Sequence, residues 1–189
     1  MTDSLPQPLA ASHAPRREAA ELIDLLRSRI LLLDGGMGTT IHTLGLTASD
    51  FGGEAYEGCN EALNLTRPDV VRGIHEGFFA AGSDIVETNT FGGAPFVLGE
   101  YGLFHRAYDI NLAGARIAKA AAAHFTTPVK PRFVAGSIGP TTKSLSVMGG
   151  ISFDELVAAY REQVRGLVDG GCDILLVETS LDTLNAKAA

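Results

Sequence analysis

Three apolar runs in this 189-residue sequence pass directly into acidic or amide side chains. Leu31-Leu32-Leu33 ends in Asp34-Gly35-Gly36. Asp84-Ile85-Val86 runs into Glu87-Thr88-Asn89-Thr90, and Ile174-Leu175-Leu176-Val177 ends in Glu178-Thr179. A carboxylate followed by two glycines sets a negative side chain beside backbone N–H groups freed by a tight turn. Such a pair suits an amino acid: the carboxylate takes its ammonium and the N–H groups take its carboxylate. The bland alternative for Asp34 is a turn cap, with the glycines supplying positive φ; placement at a strand end favours the ligand role. For Glu178 the alternative is an internal Arg or Lys partner, because a buried carboxylate is costly unless paired. Glu87 and Asn89 share one face of their strand and Thr88 and Thr90 the other, and the alternation leaves open which pair points inward.

The other reactive side chains carry less. Cys59 and Cys172 stand alone, without the close second Cys or His that zinc sites commonly have, and Cys172, just before a strand, reads as core. The five histidines are scattered, with no visible Ser or Cys partner. The turn Gly139-Pro140-Thr141-Thr142 suits either a backbone approach to a ligand or a plain loop. No residue is assigned to catalysis or to metal.

Elements that would carry these groups alternate along the chain. Residues 1–17, rich in Ser, Pro, Ala and Gln, read as a loose leader, ahead of one domain over 18–189. Glu18 to Arg29 has helical spacing, with Ala19, Leu22, Ile23, Leu25 and Leu26 on one stripe. After the first strand a Gly-rich, polar stretch runs to Asn64 as a functional loop. Pro68 opens a helix that Gly82 ends. A second strand follows, then an Ala-rich helix from Tyr108 to Phe125. The strand Phe133–Ile138 leads to a loop over 141–150. Ser152 and Glu155 form a capping-box pattern ahead of the next helix, which Gly170-Gly171 stops. The strand Ile174–Val177 and a helix beginning at Asp182 complete the chain. Strands this apolar are expected to be buried on both faces in a parallel sheet covered by helices.

Neither a Gly-x-Gly-x-x-Gly turn nor a Walker loop is present, and polar groups gather at the ends of several strands. Both points favour a barrel over a doubly wound sheet. Four βα units at ~40 residues each give the N-terminal half of a (β/α)8 TIM-type barrel, which reads as truncated at Ala189. The net charge of −7 argues against nucleic acid or an anionic membrane as partner. No apolar run is long enough to span a bilayer. Two lone cysteines and the lack of a secretory h-region give a cytoplasmic expectation.

Leu-Leu-Asp-Gly-Gly-Met-Gly-Thr, Glu-Thr-Asn-Thr-Phe, Gly-Pro-Thr and Val-Glu-Thr-Ser-Leu-Asp-Thr-Leu-Asn-Ala-Lys-Ala-Ala, in this order from Ile30 to Ala189, resemble the homocysteine-binding domain of the cobalamin-dependent methionine synthase family. Cys-Asn-Glu-Ala-Leu-Asn-Leu-Thr-Arg-Pro adds to the likeness. The resemblance implies a (β/α)8 barrel in which zinc holds the homocysteine sulfur as thiolate. That thiolate would take the methyl group of methylcobalamin on a later domain, recharged from methyltetrahydrofolate bound in a second module. It also implies that Asp34 and Glu178 hold the homocysteine amine and that the Gly35-Gly36-Met37 backbone meets its carboxylate. The candidate substrate-binding residues are therefore Asp34, Gly35, Gly36, Met37, Asn89 and Glu178. The family's three zinc cysteines match no residue of this chain, so the zinc ligands are expected beyond it and the isolated chain is expected to be inert. The alternatives are a stand-alone methyltransferase using betaine or S-methylmethionine, or a non-catalytic half-barrel that closes by dimerisation.

Overall fold

A computed structural model of the chain describes residues 17–143 and 150–189. The proposed leader, Arg17 apart, and residues 144–149 of the 141–150 loop lie outside the described residues. The chain forms two units divided between Ile30 and Leu31. The first contains α1 (Arg17–Ser28), ended by Arg29 N–H donating to Leu25 O at 2.9 Å.

The second unit carries the remaining elements: α2 (Met37–Thr43), α3 (Ala48–Phe51), α4 (Leu63–Thr66), α5 (Pro68–Ala81), β1 (Ile85–Glu87), α6 (Pro95–Leu98), α7 (Ala107–Phe125), β2 (Phe133–Ile138), α8 (Phe153–Asp169), β3 (Ile174–Val177) and α9 (Thr183–Ala188). The stretch read as a loop to Asn64 is instead folded into α2, α3, two 3-10 turns and the start of α4. The local signals are short: Thr47 and Asp50 cap α3 reciprocally, and Gly52, at φ +98°, ends it.

The three strands form a parallel sheet in the order β1-β2-β3, with Val86 opposite Val134 and Ser137 opposite Leu176. The expected first strand is reduced to a bridge between Leu33 and Ile85. Its pairing is mixed: Leu32 O accepts from Asp84 N–H and Ile85 N–H, while Leu32 N–H donates to the Asp84 carboxylate at 2.9 Å. A side chain thus replaces one rung of the ladder. An α/β architecture with a small parallel sheet is what the described residues show.

Burial corrects the two-faced expectation. All six residues of β2 are buried, because β1 and β3 flank it and α7 and α8 pack on the sheet. β3 alternates instead: Leu175 and Val177 are exposed at 44% and 41%. An apolar run therefore marked a strand correctly without guaranteeing cover for both of its faces.

The helical cover is set by close approach. A Cβ on Gly166 would stand 2.7 Å from Tyr108 O and 2.9 Å from Asn111 Cβ, and one on Gly170 would collide with Ala115. Only glycine lets α8 lie this near α7. The capping box predicted for α8 is present, with Glu155 N–H donating to Ser152 Oγ at 3.2 Å and Ser152 N–H to Glu155 Oε2 at 2.8 Å. α7 and α8 also send polar groups inward. Asn111 Nδ2 donates to Gly93 O, and Gln163 Nε2 to Thr90 O, each at 2.8 Å. These bonds fix the segment that leaves β1.

Candidate functional site

The C-terminal ends of the strands converge on a cleft of about 360 Å³. Its walls include all six candidate residues, Asp34, Gly35, Gly36, Met37, Asn89 and Glu178. Glu61 and Glu87 complete a set of four carboxyl groups. Among the described residues, no Lys, Arg or His lines it.

Asp34 follows the bridge residue Leu33. Its Oδ1 accepts from Glu87 N–H at 3.0 Å, which ties the edge segment to the end of β1. Burial pushes the Asp34 carboxyl up to about 7. Hydrogen bonds from the backbone N–H groups of Glu87 and Asp34 itself pull the other way, and Glu178 adds repulsion. Gly35 and Gly36 lead straight into α2, with Gly36 at the N-cap position and no side-chain cap. The first-turn N–H groups of a helix lack intrahelical acceptors, and here Met37 and Gly38 begin that turn on the cleft wall.

Glu87 ends β1 and points into the cleft. Its carboxyl is pushed up to about 7 by burial first, then by the nearby Glu178 and Asp34. Glu178 accepts from Ser137 Oγ at 2.5 Å, so β2 orients the acid that follows β3. Thr179, next in sequence, has φ +56°. A β-branched residue rarely adopts this left-handed conformation, and its strain sits beside the cleft.

The open choice between two faces of the second strand is resolved by where the strand stops. β1 ends at Glu87, so strict alternation does not extend through residues 88–90. Glu87, Thr88 and Asn89 all reach the cleft. Thr88 and Thr90 form a buried hydroxyl pair at 2.5 Å; Ser137 N–H donates to Thr88 Oγ1 and Thr90 Oγ1 donates to Ser137 O. Asn89 is 4% exposed, and its Nδ2 donates to Asn60 O at 2.7 Å and Asn64 Oδ1 at 3.1 Å. These bonds engage its amide donors in holding the 60–64 turn.

Glu61 was not singled out from the sequence as a site residue. It accepts from Gly92 N–H at 2.7 Å and is pushed up chiefly by burial. A usable signal was present: Glu61 interrupts Cys59 and the Ala62-Leu63 pair, and an acid in an otherwise core-like stretch needs a reason. Cys59 Sγ lies 3.9 Å from Glu61 Oε2, and burial pushes its thiol up to about 11; burial pushes the Cys172 thiol up to about 12. Among the described residues no three His, Cys, Asp or Glu side chains converge as a metal site.

Chemically, four inward-facing acids with no cation suit a compact ammonium ion, and the adjoining N–H groups of α2 suit an anion. Together they suit a zwitterion. The homocysteine S-methyltransferase family profile matches residues 31–189. A methionine synthase of Mycobacterium tuberculosis is 45% identical over 169 residues, which cover 89% of this chain and 14% of that protein. The chain thus spans a small part of that relative's length. Among solved structures, the homocysteine methyltransferase MmuM of Escherichia coli matches in its oxidized and metallated forms. Both give a TM-score of 0.72 over 88% of this chain, at 24% and 23% identity, covering 59% and 60% of MmuM. This likeness concerns the fold.

Proposed function

The chain belongs to the homocysteine S-methyltransferase family, and from that premise we propose that its acidic cleft is the amino-acid side of a homocysteine site. The observation that carries the reading is the pairing of uncompensated carboxyls, Asp34 and Glu178, with the Gly35-Gly36-Met37 entry to α2. Asp34 and Glu178 take the ammonium. The N–H groups at the start of α2 take the carboxylate. Binding both ends of the backbone leaves the thiol-bearing side chain directed away from these walls, toward whatever supplies the methyl group. Asn89 supports the site by fixing the 60–64 turn on which Glu61 stands.

The methionine synthase relative supports a whole protein that makes methionine, and the sequence resemblance supplies the rest of the proposed reaction: methyl transfer to homocysteine from methylcobalamin, recharged by methyltetrahydrofolate. The zinc that the resemblance implies finds no fitting ligands among the described residues, and the cobalamin and folate modules correspond to no element described above. The parallel sheet, the Leu33–Ile85 bridge and the likeness to MmuM support reading the second unit as the first four strands of a (β/α)8 barrel. No described helix is long and apolar enough to cross a membrane.

The test is a binding titration with homocysteine and with 4-mercaptobutanoate, which lacks the amine. The reading expects homocysteine to bind more tightly by a factor of roughly 10 or more, the value of a charge-assisted hydrogen bond. Equal affinities would overturn it.

A further inference from the structure

Phe91 stands on the cleft wall, and the ammonium and carboxylate contacts proposed above leave it unused. Its backbone is held from both sides. Gly139 N–H donates to Phe91 O at 3.0 Å. On the preceding residue, Thr90 Oγ1 donates to Ser137 O and Gln163 Nε2 to Thr90 O, each at 2.8 Å. On the following residue, Gly92 N–H donates to Glu61 Oε1 at 2.7 Å. The ring lies against the backbone of Gly139: a Cβ there would stand 2.6 Å from Phe91 O and 2.8 Å from two ring carbons. Yet Phe91 is 43% exposed. An aromatic side chain anchored this firmly and still wet is a ready contact for an apolar ligand group. Among the described residues, the other large apolar side chain on the cleft wall is Met37, which packs in part against the core around Ile41 and Phe51.

Resting on the reading of the cleft as an amino-acid site, we propose that Phe91 is a specificity-determining residue whose ring takes the side chain of the bound amino acid and favours an unbranched arm that carries sulfur. With the ammonium at Asp34 and Glu178 and the carboxylate at the start of α2, the ligand turns its side chain toward the wall formed by the segment that leaves β1, where Phe91 stands. A sulfur beside an aromatic ring gains a contact that a hydroxyl on an arm of the same kind lacks. Methylenes covered by the ring add to it. Glu61 acts through Gly92 as a positioning residue. Its bond fixes the peptide that follows Phe91, so the ring meets the ligand with little freedom left to lose.

Methionine and homoserine are the probes. They share the ammonium, the carboxylate and the first two carbons of the arm, and differ in ending in a thioether or a hydroxyl. Titration calorimetry of the full chain is expected to show methionine binding about tenfold more tightly. Phe91→Ala is expected to weaken methionine about fivefold or more and homoserine by less than about twofold, so that the preference collapses. Glu61→Ala is expected to narrow the preference about threefold, because Gly92 N–H loses its acceptor. Glu61→Gln keeps an oxygen for that N–H and is expected to keep the preference. A loss of negative charge alone would lower both ligands alike and leave their ratio unchanged.

Homoserine binding as tightly as methionine to the unaltered chain would overturn the proposal, whether or not the variants fold, and leave the ammonium reading intact. So would a Phe91→Ala chain that weakens both ligands equally. An unchanged ratio in Glu61→Ala would remove Glu61 from the positioning role. If 4-(methylthio)butanoate, which lacks the amine, binds as tightly as methionine, or if neither amino acid binds, the ammonium reading falls and the proposal with it.

Discussion

The acidic cleft and the buried face of α5 hold titratable groups without counter-ions, yet burial drives them in opposite directions. Asp34 and Glu87 are pushed up to about 7. His75 on α5, wholly buried, is pushed down to about 4, and neither ring nitrogen has a hydrogen-bond partner. Low-dielectric surroundings penalise charge of either sign, so acids keep protons and a base loses them. The difference lies in what can relieve the penalty. In the proposed reading, the cleft admits a ligand ammonium that brings the missing positive charge. His75 has no such prospect and behaves as a neutral, imperfectly satisfied core residue.

These opposite shifts have opposite pH signatures. His75 has a folded value below its unfolded 6.5, so the unfolded chain binds the extra proton between about 4 and 6.5 and stability falls as pH drops through that window. Asp34, raised from 3.8 to about 7, does the reverse: the folded chain holds the extra proton, and stability declines as pH rises from about 4 to 7.

The largest test of the contrast is His75→Met, which removes two unpaired nitrogens and fills the space with a flexible apolar chain. A shift of this size corresponds to about 3 kcal/mol. The variant is expected to be more stable by roughly that amount at pH 5 and by about 1 kcal/mol at pH 8, read from urea denaturation. An equal gain at both pH values would show that His75 is not held neutral. Next comes Asp34→Asn, which keeps an oxygen for Glu87 N–H while deleting the charge. Amino-acid affinity is expected to fall about 30-fold in calorimetry, about 2 kcal/mol, without loss of melting temperature at pH 8. A large fall in melting temperature with intact affinity would move Asp34 from the binding role to a structural one.

Ser137→Ala sharpens the comparison inside the cleft, because it removes the hydroxyl that Glu178 accepts from. About a fivefold weakening of amino-acid binding is expected in calorimetry. Unchanged affinity would show that the Ser137 hydroxyl does not aim Glu178 at the ligand. Smallest is Thr179→Gly. Release of the left-handed strain offsets the extra freedom of glycine in the unfolded chain, so stability should stay within about 0.5 kcal/mol. Any loss of affinity then reports on how firmly Glu178 is aimed.

Much of this was legible in the residues themselves. β2 and β3 fall where their apolar runs lie, Ser152 and Glu155 cap α8 as their spacing predicts, and Asp34 and Glu178 meet at one cleft although 144 positions separate them. Strand-end placement in a parallel sheet is a strong geometric rule, and it carried that expectation. Glu61 escaped because it stands on a 3-10 turn, where no periodicity marks which way a side chain points. Glu87 stayed ambiguous because alternation predicts faces only while the strand lasts, and β1 stops at that residue. The bridge at Leu33 was read as a full strand because sequence cannot show that the Asp84 side chain takes over a rung of its ladder.

The uncovered side of β3 has a practical meaning at the bench. Leu175 and Val177 face outward on the last strand of the described sheet, and Leu181, just beyond it, is fully exposed. Under the barrel reading proposed above, this is surface that further elements would cover, so a hydrophobic dye should brighten more with residues 1–189 alone than with a polypeptide that carries those elements.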